Sequence, residues 1–309
     1  MIEINNLVKR YGETLALDHL NLSVQEGEVF GLLGPNGSGK TTAINCMLAL
    51  LKYDKGSIRI FGKEMHPNSY ESKRKIGVVM QDVAVFEQMT VKENIDYFCG
   101  LYEADKTRRK QLVEEAIQFV GLEEHIKKKP KQLSGGLLRR LNIACGIAHK
   151  PELIFMDEPT VAVDPQSRNK ILEGIQELNR QGSTIVYTSH YMEEVEQICS
   201  RIAIMDHGHC IAVGTKEELK NLIKTGETVT IETVVVTKQQ IEHIRNMENV
   251  YDINYQGETL VVRCGKGRHN LVHILQYLQE QQVAFGRVFS ELPTLNDVFL
   301  EITGKQLRD

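Results

Sequence analysis

The feature of the chain that most constrains its fold is the octapeptide at residues 34–41. It reads Gly34-Pro35-Asn36-Gly37-Ser38-Gly39-Lys40-Thr41 and fits the pattern G-x-x-x-x-G-K-[ST] without a mismatch. The apolar run Val29–Leu33 before it predicts a buried strand, and Thr42–Leu51 after it predicts a helix. A strand, a glycine-rich turn and a helix in this order indicate an α/β unit whose turn binds phosphate.

Each part of this loop has a task in binding the phosphates of a nucleotide. Glycine lets successive backbone N–H groups point at one anion, and the N-terminus of the helix adds its dipole. The Lys40 ammonium is suited to the β- and γ-phosphates, and the Thr41 hydroxyl is suited to Mg²⁺. The alternative is an ordinary turn with a surface lysine. Such a turn would need neither the complete spacing of the motif nor the flanking strand and helix, so it is disfavoured. The sequence therefore predicts a nucleoside triphosphate site, which includes Thr42.

Composition indicates a soluble globular protein with more than one domain. The 309 residues exceed the size of one small domain, and the net charge of −4 does not favour binding to nucleic acid. No apolar run approaches the ~18 residues of a transmembrane helix, and the N-terminal residues do not resemble a signal peptide. The six cysteines occur singly, a pattern typical of reduced thiols in a cytosol.

The first two thirds of the chain alternate short apolar runs with amphipathic segments, which is typical of α/β architecture. Buried strands are predicted at Val29–Leu33, Ile76–Met80, Leu153–Met156, Thr184–Thr188 and Ile202–Met205. A small antiparallel layer is predicted from the outer runs Ile2–Val8, Ala16–Val24 and Gly56–Ile60. Residues 90–149 are largely helical in pattern and interrupt the strands, so they predict an inserted helical subdomain.

A second boundary is predicted near Glu218–Gly226, which divides the chain into domains at 1–220 and 221–309. Beyond it the order β-α-β-β-α-β resembles a small ferredoxin-like module. The predicted elements are strand Thr228–Val236, helix Lys238–Met247, strands Val250–Tyr255 and Glu258–Cys264, helix Arg268–Gln281, strand Val283–Ser290 and a final helix Leu295–Ile302. The module has neither metal-ligand spacing nor a phosphate loop, so a role in packing or dimerisation is favoured.

Two further motifs place polar groups at the ends of apolar segments. The predicted strand Leu153–Met156 is followed by Asp157, suited to hold Mg²⁺, and Glu158, suited to polarise an attacking water. A surface acidic pair that caps the next turn is the alternative, and the phosphate loop earlier in the chain disfavours it. The run Ser134-Gly135-Gly136 opens a predicted helix and offers a second anion site, although alone it would be a simple N-cap.

These features, in this order, resemble the ATPases of ABC transporters over roughly the first 220 residues. The matching motifs are the Walker A loop at residues 34–41, the Q-loop at Gln81, the signature motif at Leu133–Gly136, Walker B at Leu153–Glu158 and the switch histidine His190. Tyr11 lies where the family stacks an aromatic ring on adenine, and Gln81 is a further expected Mg²⁺ contact. Taken singly, such residues are more often structural. The resemblance implies ATP and Mg²⁺ as ligands, with Lys40, Glu158 and His190 as catalytic residues.

The chain departs from the family pattern at two positions. Leu137 stands where glutamine usually follows the second signature glycine, but Ser134 and the backbone donors are retained. Phosphate recognition should therefore survive, while a side-chain contact to the partner-bound nucleotide should be lost. Ala162 stands where glycine is common in the D-loop. Because Asp164 and Pro165 are retained, we expect the D-loop to function, with Asp164 near the nucleotide.

The resemblance also implies partners and a place of action. Transporter ATPases of this family act with a separate polytopic membrane permease and a second ABC ATPase. Each of two ATP molecules then lies between the Walker A loop of one chain and the signature loop of the other. We therefore expect a cytoplasmic protein held at the inner face of the membrane by its permease, without a nucleic acid partner. The segments Val161–Arg168 and Leu292–Gly304 resemble bacterial ABC-2 type drug-exporter ATPases, whose membrane subunits choose the substrate.

Other classes of ABC protein remain as alternatives to a transporter subunit. A soluble ABC ATPase of translation usually carries two cassettes in one chain, whereas this chain has one. A DNA-repair ATPase inserts a coiled coil that residues 90–149 are too short to form. A regulator that binds ATP without hydrolysing it is disfavoured by Glu158. A neighbouring gene for a polytopic membrane protein would favour transport.

Overall fold

The computed structural model describes residues 1–232, 234–267 and 269–304, and the chain divides into two compact units. The first unit runs from Met1 to Lys216, and the second begins at Glu217. The strands of the first unit are β1 (Ile2–Tyr11), β2 (Thr14–Val24), β3 (Val29–Leu33), β4 (Lys55–Ile60), β5 (Lys63–Glu64), β6 (Ile76–Val79), β7 (Leu153–Asp157), β8 (Thr184–Ser189), β9 (Arg201–Asp206) and β10 (His209–Gly214). Its helices are α1 (Lys40–Met47), α2 (Tyr70–Lys73), α3 (Val91–Gly100), α4 (Lys106–Val120), α5 (Gly135–Ile147), α6 (Pro165–Arg180) and α7 (Met192–Ile198).

A six-stranded sheet in the order β10-β9-β3-β8-β7-β6 forms the centre of the first unit. Strand β10 pairs antiparallel at one edge and the other five strands are parallel. Every residue of β3, β7 and β8 is buried, which explains why these strands are largely apolar in sequence. The register pairs Leu33 with Ser189 and Asp157 with Thr188, so the carboxyl ends of these three strands meet. All five predicted buried strands are confirmed.

A four-stranded antiparallel sheet in the order β2-β1-β4-β5 forms a second layer and confirms the predicted one. Its inward side chains, such as Ile4, Leu20 and Ile58, share one buried core with Leu32 and Phe155 of the parallel sheet. Burial of this apolar surface is the main force that holds the two layers together.

Helices α3, α4 and α5 occupy the stretch between residues 90 and 149 that the sequence predicts to be helical. Each begins at a side-chain N-cap, because Thr90, Asp105 and Ser134 accept a hydrogen bond from the backbone N–H three residues later. Helix α5 approaches strand β6 closely, since both carry glycine at the contact. A Cβ on Gly77 would lie 2.5 Å from the carbonyl oxygen of Gly146.

The described residues of the second unit form an antiparallel α+β module, and a helix that begins at Lys216 leads into it. Its elements are strands β11 (Thr225–Ile231), β12 (Val250–Gln256), β13 (Thr259–Gly265) and β14 (Val288–Glu291) and helices α8 (Lys216–Asn221), α9 (Lys238–Arg245), α10 (Asn270–Glu280) and α11 (Leu295–Thr303). The sheet order is β12-β13-β11-β14, with every neighbouring pair antiparallel. Buried Val229, Leu260, Val262 and Ile274 belong to its core. The predicted β-α-β-β-α-β order is confirmed.

Strands β11 and β14 are shorter than the sequence predicts. The two strands pair only over Thr228–Ile231 of β11. The predicted last residue of the first strand, Val236, and the predicted first residue of the second, Val283, are therefore wrong. Beyond the paired stretch, the backbone N–H of Val234 donates to the carbonyl of Glu258 at 3.0 Å, and the chain leaves the ladder. Apolar residues continue past that point, which is why the pattern alone extends the strands too far.

Helix α1 ends at Met47, so the predicted end at Leu51 is wrong. Ala49 has φ 51°, a left-handed value that stops a right-handed helix. Helix α10 is present between the two predicted ends, and the predicted first residue, Arg268, lies outside the described residues.

The contact between α5 and β6 gives a stability prediction with an internal control. Gly146→Ala would place a Cβ 2.7 Å from the carbonyl oxygen of Val78, and we expect the free energy of unfolding to fall by about 1–3 kcal/mol. Gly174→Ala, within α6, would place a Cβ 3.5 Å from Phe119, an ordinary contact. Helix propensity should then raise stability by up to about 1 kcal/mol. Chemical denaturation measures both variants, and equal stabilities would contradict the close packing.

Candidate active site

The phosphate loop lies between β3 and α1, at the carboxyl edge of the parallel sheet. Gly39 precedes α1 with φ 103°, a left-handed value that favours glycine, and a Cβ there would lie 2.7 Å from the carbonyl oxygen of Ala16. A Cβ on Gly34 would lie 2.3 Å from the carbonyl oxygen of Met205. The loop is therefore packed against β2 and β9, and only glycine fits at these two positions.

Lys40 is buried at the start of α1, with 5% of its surface exposed. Its Nζ atom donates to the carbonyl oxygens of Gly34 at 2.8 Å and Pro35 at 3.1 Å, and it lies 3.6 Å from Oε1 of Glu158. Burial lowers the pKa of Lys40, and the nearby carboxylates of Glu158 and Asp157 oppose that shift. The ammonium is thus compensated by protein oxygens in a site with little access to water.

Glu158 follows β7 and contacts both the lysine and the predicted switch histidine. Its Oε2 atom lies 3.3 Å from Nδ1 of His190, and 6% of the residue is exposed. Its backbone N–H donates to Oγ1 of Thr188 at 2.9 Å. Glu158 has φ 47°, a conformation that costs about 1–3 kcal/mol and persists only where the surrounding structure holds it. The site therefore brings together Lys40, Glu158 and His190, the three predicted catalytic residues.

Two buried oxygen atoms at this edge have no hydrogen-bond partner within the described part of the chain. They are Oδ2 of Asp157 and Oγ of Ser38. The other carboxylate oxygen of Asp157 accepts a hydrogen bond from Oγ1 of Thr188 at 2.6 Å. Buried polar atoms without a partner are uncommon, and a bound ion or ligand is one explanation for them. A carboxylate and a hydroxyl beside a phosphate loop fit a hard cation and a phosphate group.

Thr188 is a site residue that the sequence analysis missed. Its single hydroxyl donates to Asp157 and accepts the backbone N–H of Glu158, so it orients both acidic residues. A threonine near the end of a predicted strand is ordinary, because β-branched residues are common in strands. Only the register that places β8 beside β7 identifies it.

The second group of predicted residues comprises Ser134, Gly135, Gly136 and Asp164. Ser134 caps α5 by accepting a hydrogen bond from the N–H of Leu137 at 3.3 Å, so the departure at Leu137 leaves this cap intact. A Cβ on Gly136 would lie 2.4 Å from Oγ of Ser167, near the start of α6. Asp164 caps α6 through the N–H of Ser167 at 2.9 Å. The signature loop and the D-loop therefore pack against each other within one chain.

Gln81 and Tyr11 are both exposed, and no hydrogen bond or ion pair among the described residues joins them to the Lys40 cluster. The carbonyl of Gln81 accepts a hydrogen bond from Nη1 of Arg139 at 2.7 Å. Arg139 is buried on α5, so it links the Q-loop to the signature helix, a role that the sequence analysis missed. Tyr11 is half exposed at the end of β1, with Nζ of Lys9 5.2 Å from its ring centroid.

The cluster of Lys40, Glu158 and His190 has the chemistry needed to transfer a phosphoryl group to water. A cation beside backbone N–H groups stabilises negative charge on phosphate oxygens. A carboxylate held within 3.3 Å of an imidazole can polarise a water molecule and accept its proton. Because these groups are buried, their electrostatic interactions are stronger than they would be in water.

Comparison with known families covers both units of the chain. Residues 17–161 match the family described as ABC transporter. Residues 214–303 match the family described as ATP-binding protein DrrA1-3-like, C-terminal domain.

Curated relatives align along nearly the whole chain. The linearmycin resistance ATP-binding protein LnrL of Bacillus subtilis (strain 168) is 37% identical, over 100% of this chain and 100% of its own length. The daunorubicin resistance ATP-binding protein DrrA3 of Streptomyces coeruleorubidus is 32% identical, over 99% of this chain and 97% of its own. The Nod factor export ATP-binding protein I of Ralstonia nicotianae is 32% identical, over 100% of this chain and 95% of its own length.

Solved structures of similar fold cover about 70% of the chain. The dimeric structure of MJ0796, a bacterial ABC transporter cassette, is 30% identical with a TM-score of 0.64, and the match covers 70% of this chain and 98% of that one. A dimer of the same cassette in a post-hydrolysis state, bound to ADP and Pi, is 29% identical with the same TM-score and coverage. The chain therefore belongs to the ABC transporter family, as an ATP-binding subunit that hydrolyses ATP.

Proposed function

We propose that this chain drives a separate membrane permease of ABC-2 export type, by ATP-dependent closure of a dimer of ATP-binding subunits. The observation that carries the proposal is the buried cluster of Lys40, Glu158 and His190 beside the phosphate loop. Export is supported by full-length relatives whose names state resistance to linearmycin and daunorubicin and export of Nod factor. The names of these relatives give no support to a role in translation or DNA repair.

The residues around the cluster take separate roles in this proposal. Residues 34–42 bind the phosphates through backbone N–H groups and the Lys40 ammonium, and Tyr11 stacks on the adenine ring. Glu158 polarises the attacking water and accepts its proton. His190 keeps Glu158 and the γ-phosphate in order, which its 3.3 Å separation from Glu158 supports. The chemistry then depends on positioning and charge stabilisation rather than on a covalent intermediate.

Thr41, Gln81 and Asp157 are the residues proposed to hold Mg²⁺. The buried, unpartnered Oδ2 of Asp157 supports this role. In the part of the chain that the structure describes, no group of three or more His, Cys, Asp or Glu side chains could hold a metal ion alone. That finding agrees with Mg²⁺, which is usually bound by one or two carboxylates together with substrate phosphates. When bound, Mg²⁺ supplies positive charge against the phosphate oxygens.

The signature loop is proposed to complete the ATP site of a second ABC ATPase subunit. Ser134 and Gly135 are exposed at the N-terminus of α5, where a helix dipole and free N–H groups favour an anion. Asp164 at the D-loop packs beside them and would approach the same nucleotide. The dimeric structure of a similar cassette supports this assembly.

An aromatic patch of Phe86, Tyr97 and Phe98 is the surface proposed to bind the permease. The ring centroids of Phe86 and Tyr97 lie 4.8 Å apart, and those of Phe86 and Phe98 lie 5.8 Å apart. Phe86 and Tyr97 are 43% and 44% exposed, and exposed aromatic clusters are typical of interaction surfaces. Among the described residues, no helix is long and apolar enough to cross a membrane. We place the chain in the cytoplasm, held at the inner membrane face by this contact.

We propose that residues 1–220 form the ATPase domain and residues 221–309 an accessory domain. The compact unit that begins at Glu217 and the DrrA1-3-like match at residues 214–303 support this division. The accessory domain has its own core and carries none of the proposed catalytic residues. We assign it a role in stabilising the dimer.

Loss of the phosphate-loop cation should abolish ATP hydrolysis. In Lys40→Ala the β- and γ-phosphates lose a charge partner in a buried site, so phosphate release should fall at least ~100-fold. Lys110→Ala, on an exposed position of α4, is the matched control and should keep wild-type activity. Steady-state phosphate release measures both variants, and near-normal activity of Lys40→Ala would remove the site assignment.

Loss of the base should trap the closed dimer. Glu158→Gln keeps the shape of the side chain but cannot accept a proton, so hydrolysis should fall while ATP binding is spared. Size exclusion with saturating Mg-ATP should then show a stable dimer, and adding Ser134→Arg should prevent it by blocking the opposing phosphate. Glu173→Gln, exposed on α6, is the control and should not trap a dimer. A Glu158→Gln chain that stays monomeric, also with its permease present, would contradict the sandwich.

Weakening the aromatic patch should release the permease. The double variant Phe86→Ser and Tyr97→Ser removes both exposed rings, so less membrane protein should co-purify with the chain from solubilised membranes. ATP binding should be unchanged, because neither residue belongs to the phosphate loop or to the Lys40 cluster. Tyr70→Ser, also exposed but outside the patch, is the control. Mass spectrometry quantifies the polytopic protein, and equal recovery from both variants would exclude this surface.

A further inference from the structure

A buried carboxylate behind the proposed catalytic residues has no role so far. Glu194 lies on α7 with 3% of its surface exposed. Its Oε2 atom accepts hydrogen bonds from three hydroxyl groups, those of Thr160 at 2.8 Å, Tyr187 at 2.7 Å and Ser189 at 2.9 Å. Burial, reinforced by the charge of Glu194, raises the pKa of Tyr187 well above its usual value, so the phenol stays protonated and donates.

The second oxygen of Glu194 faces a cation. Its Oε1 atom lies 3.2 Å from Nε of Arg168, on α6. The Arg168 guanidinium lies over the ring of Tyr191, 4.6 Å from its centroid, and the Tyr191 and His190 rings have centroids 4.1 Å apart. Glu194 is therefore connected to the switch histidine through the Arg168 guanidinium and the Tyr191 ring.

The groups that meet at Glu194 come from three different segments of the site. Thr160 lies two residues after Glu158, and Ser189 directly precedes His190. Arg168 lies in the first turn of α6, the helix that Asp164 of the D-loop caps. One carboxylate thus joins the segment of the base, the segment of the histidine and the helix behind the D-loop.

We propose that Glu194 is a positioning residue for ATP hydrolysis, which fixes the separation of Glu158 and His190 through Thr160 and Ser189. The inference rests on the proposed roles of Glu158 and His190. Glu194 does not contact the reacting atoms; it acts through the two segments that carry them.

The first test compares two neighbouring glutamates in the full-length chain. Glu194→Gln keeps an oxygen that can accept the hydroxyl groups but removes the charge that faces Arg168. We expect ATP bound per chain and ATP affinity to be unchanged, and turnover per bound ATP to fall on the order of 10- to 100-fold. Glu193 is exposed on the same helix, so Glu193→Gln should match wild type in ATP bound per chain, in ATP affinity and in turnover per bound ATP. Full turnover per bound ATP in Glu194→Gln overturns the proposal.

The second test asks whether Glu194 acts through the histidine. In a His190→Ala chain, adding Glu194→Gln should lower turnover by less than about threefold, because residues that act as a unit are not additive. Independent, multiplying losses overturn the proposal. If His190→Ala alone has no effect on turnover, the proposed function of the site fails instead, so the two failures are distinguishable.

A third variant tests the proposal in case Glu194→Gln disturbs the fold. If Glu194→Gln binds less ATP per chain than wild type, the substitution has disturbed the structure, and Ser189→Ala decides the question. Ser189→Ala removes one donor beside His190 and leaves the carboxylate and Arg168 in place. It should bind ATP normally and lose part of its turnover per bound ATP. Normal turnover in Ser189→Ala overturns the proposal.

Discussion

The active site depends on one buried ion pair, between Nζ of Lys40 and Oε1 of Glu158, which lie 3.6 Å apart. Charges this deeply buried are unfavourable unless each has a partner. Strand β3 leads to the lysine and β7 leads to the glutamate, while β8, which lies between them in the sheet, leads to His190. The parallel register of these three strands therefore places Lys40, Glu158 and His190 together, and the remaining site residues are arranged around them.

A set of buried hydroxyl groups links the segments that carry Glu158 and His190. Thr188 bonds to both acidic residues that end β7, and Thr160 and Ser189 meet at Glu194. Such bonds limit how far Glu158 can move relative to His190, and phosphoryl transfer depends strongly on that kind of positioning. The strained φ of Glu158, 47°, is supported by the same bonds.

Local features of the fold could be predicted because they depend on neighbouring residues. The phosphate loop, the buried strands and the carboxylates at the end of β7 are each contained in a short run, and the structure has them where the pattern places them. Ala162, which departs from the family pattern, adopts φ 60°, the left-handed region that explains why glycine is common there. The ends of β11 and α1 depended on backbone turns that apolar patterns do not reveal.

Contacts between distant segments could not be predicted from the sequence. Glu193 and Glu194 are identical in type and adjacent, and only the packing of α7 exposes one and buries the other. Arg139 resembles a surface residue of a helix, yet it is buried and bonds to the carbonyls of Met80 and Gln81. Thr188 resembles any other strand residue in the sequence, and only the strand register shows that it lies beside Asp157. Each role comes from the tertiary fold rather than from local spacing.

A crystal structure of the full-length chain with Mg²⁺, ADP and a fluoride mimic of the transferred phosphate would show directly whether Lys40, Glu158 and His190 meet at the reacting phosphate. We expect the mimic within hydrogen-bond reach of Lys40 and the phosphate loop, with Glu158 and His190 both facing it and still in contact with each other. A mimic bound at this edge with Glu158 turned away from it would contradict the assignment of the base. A nucleotide bound elsewhere on the chain would contradict the site itself.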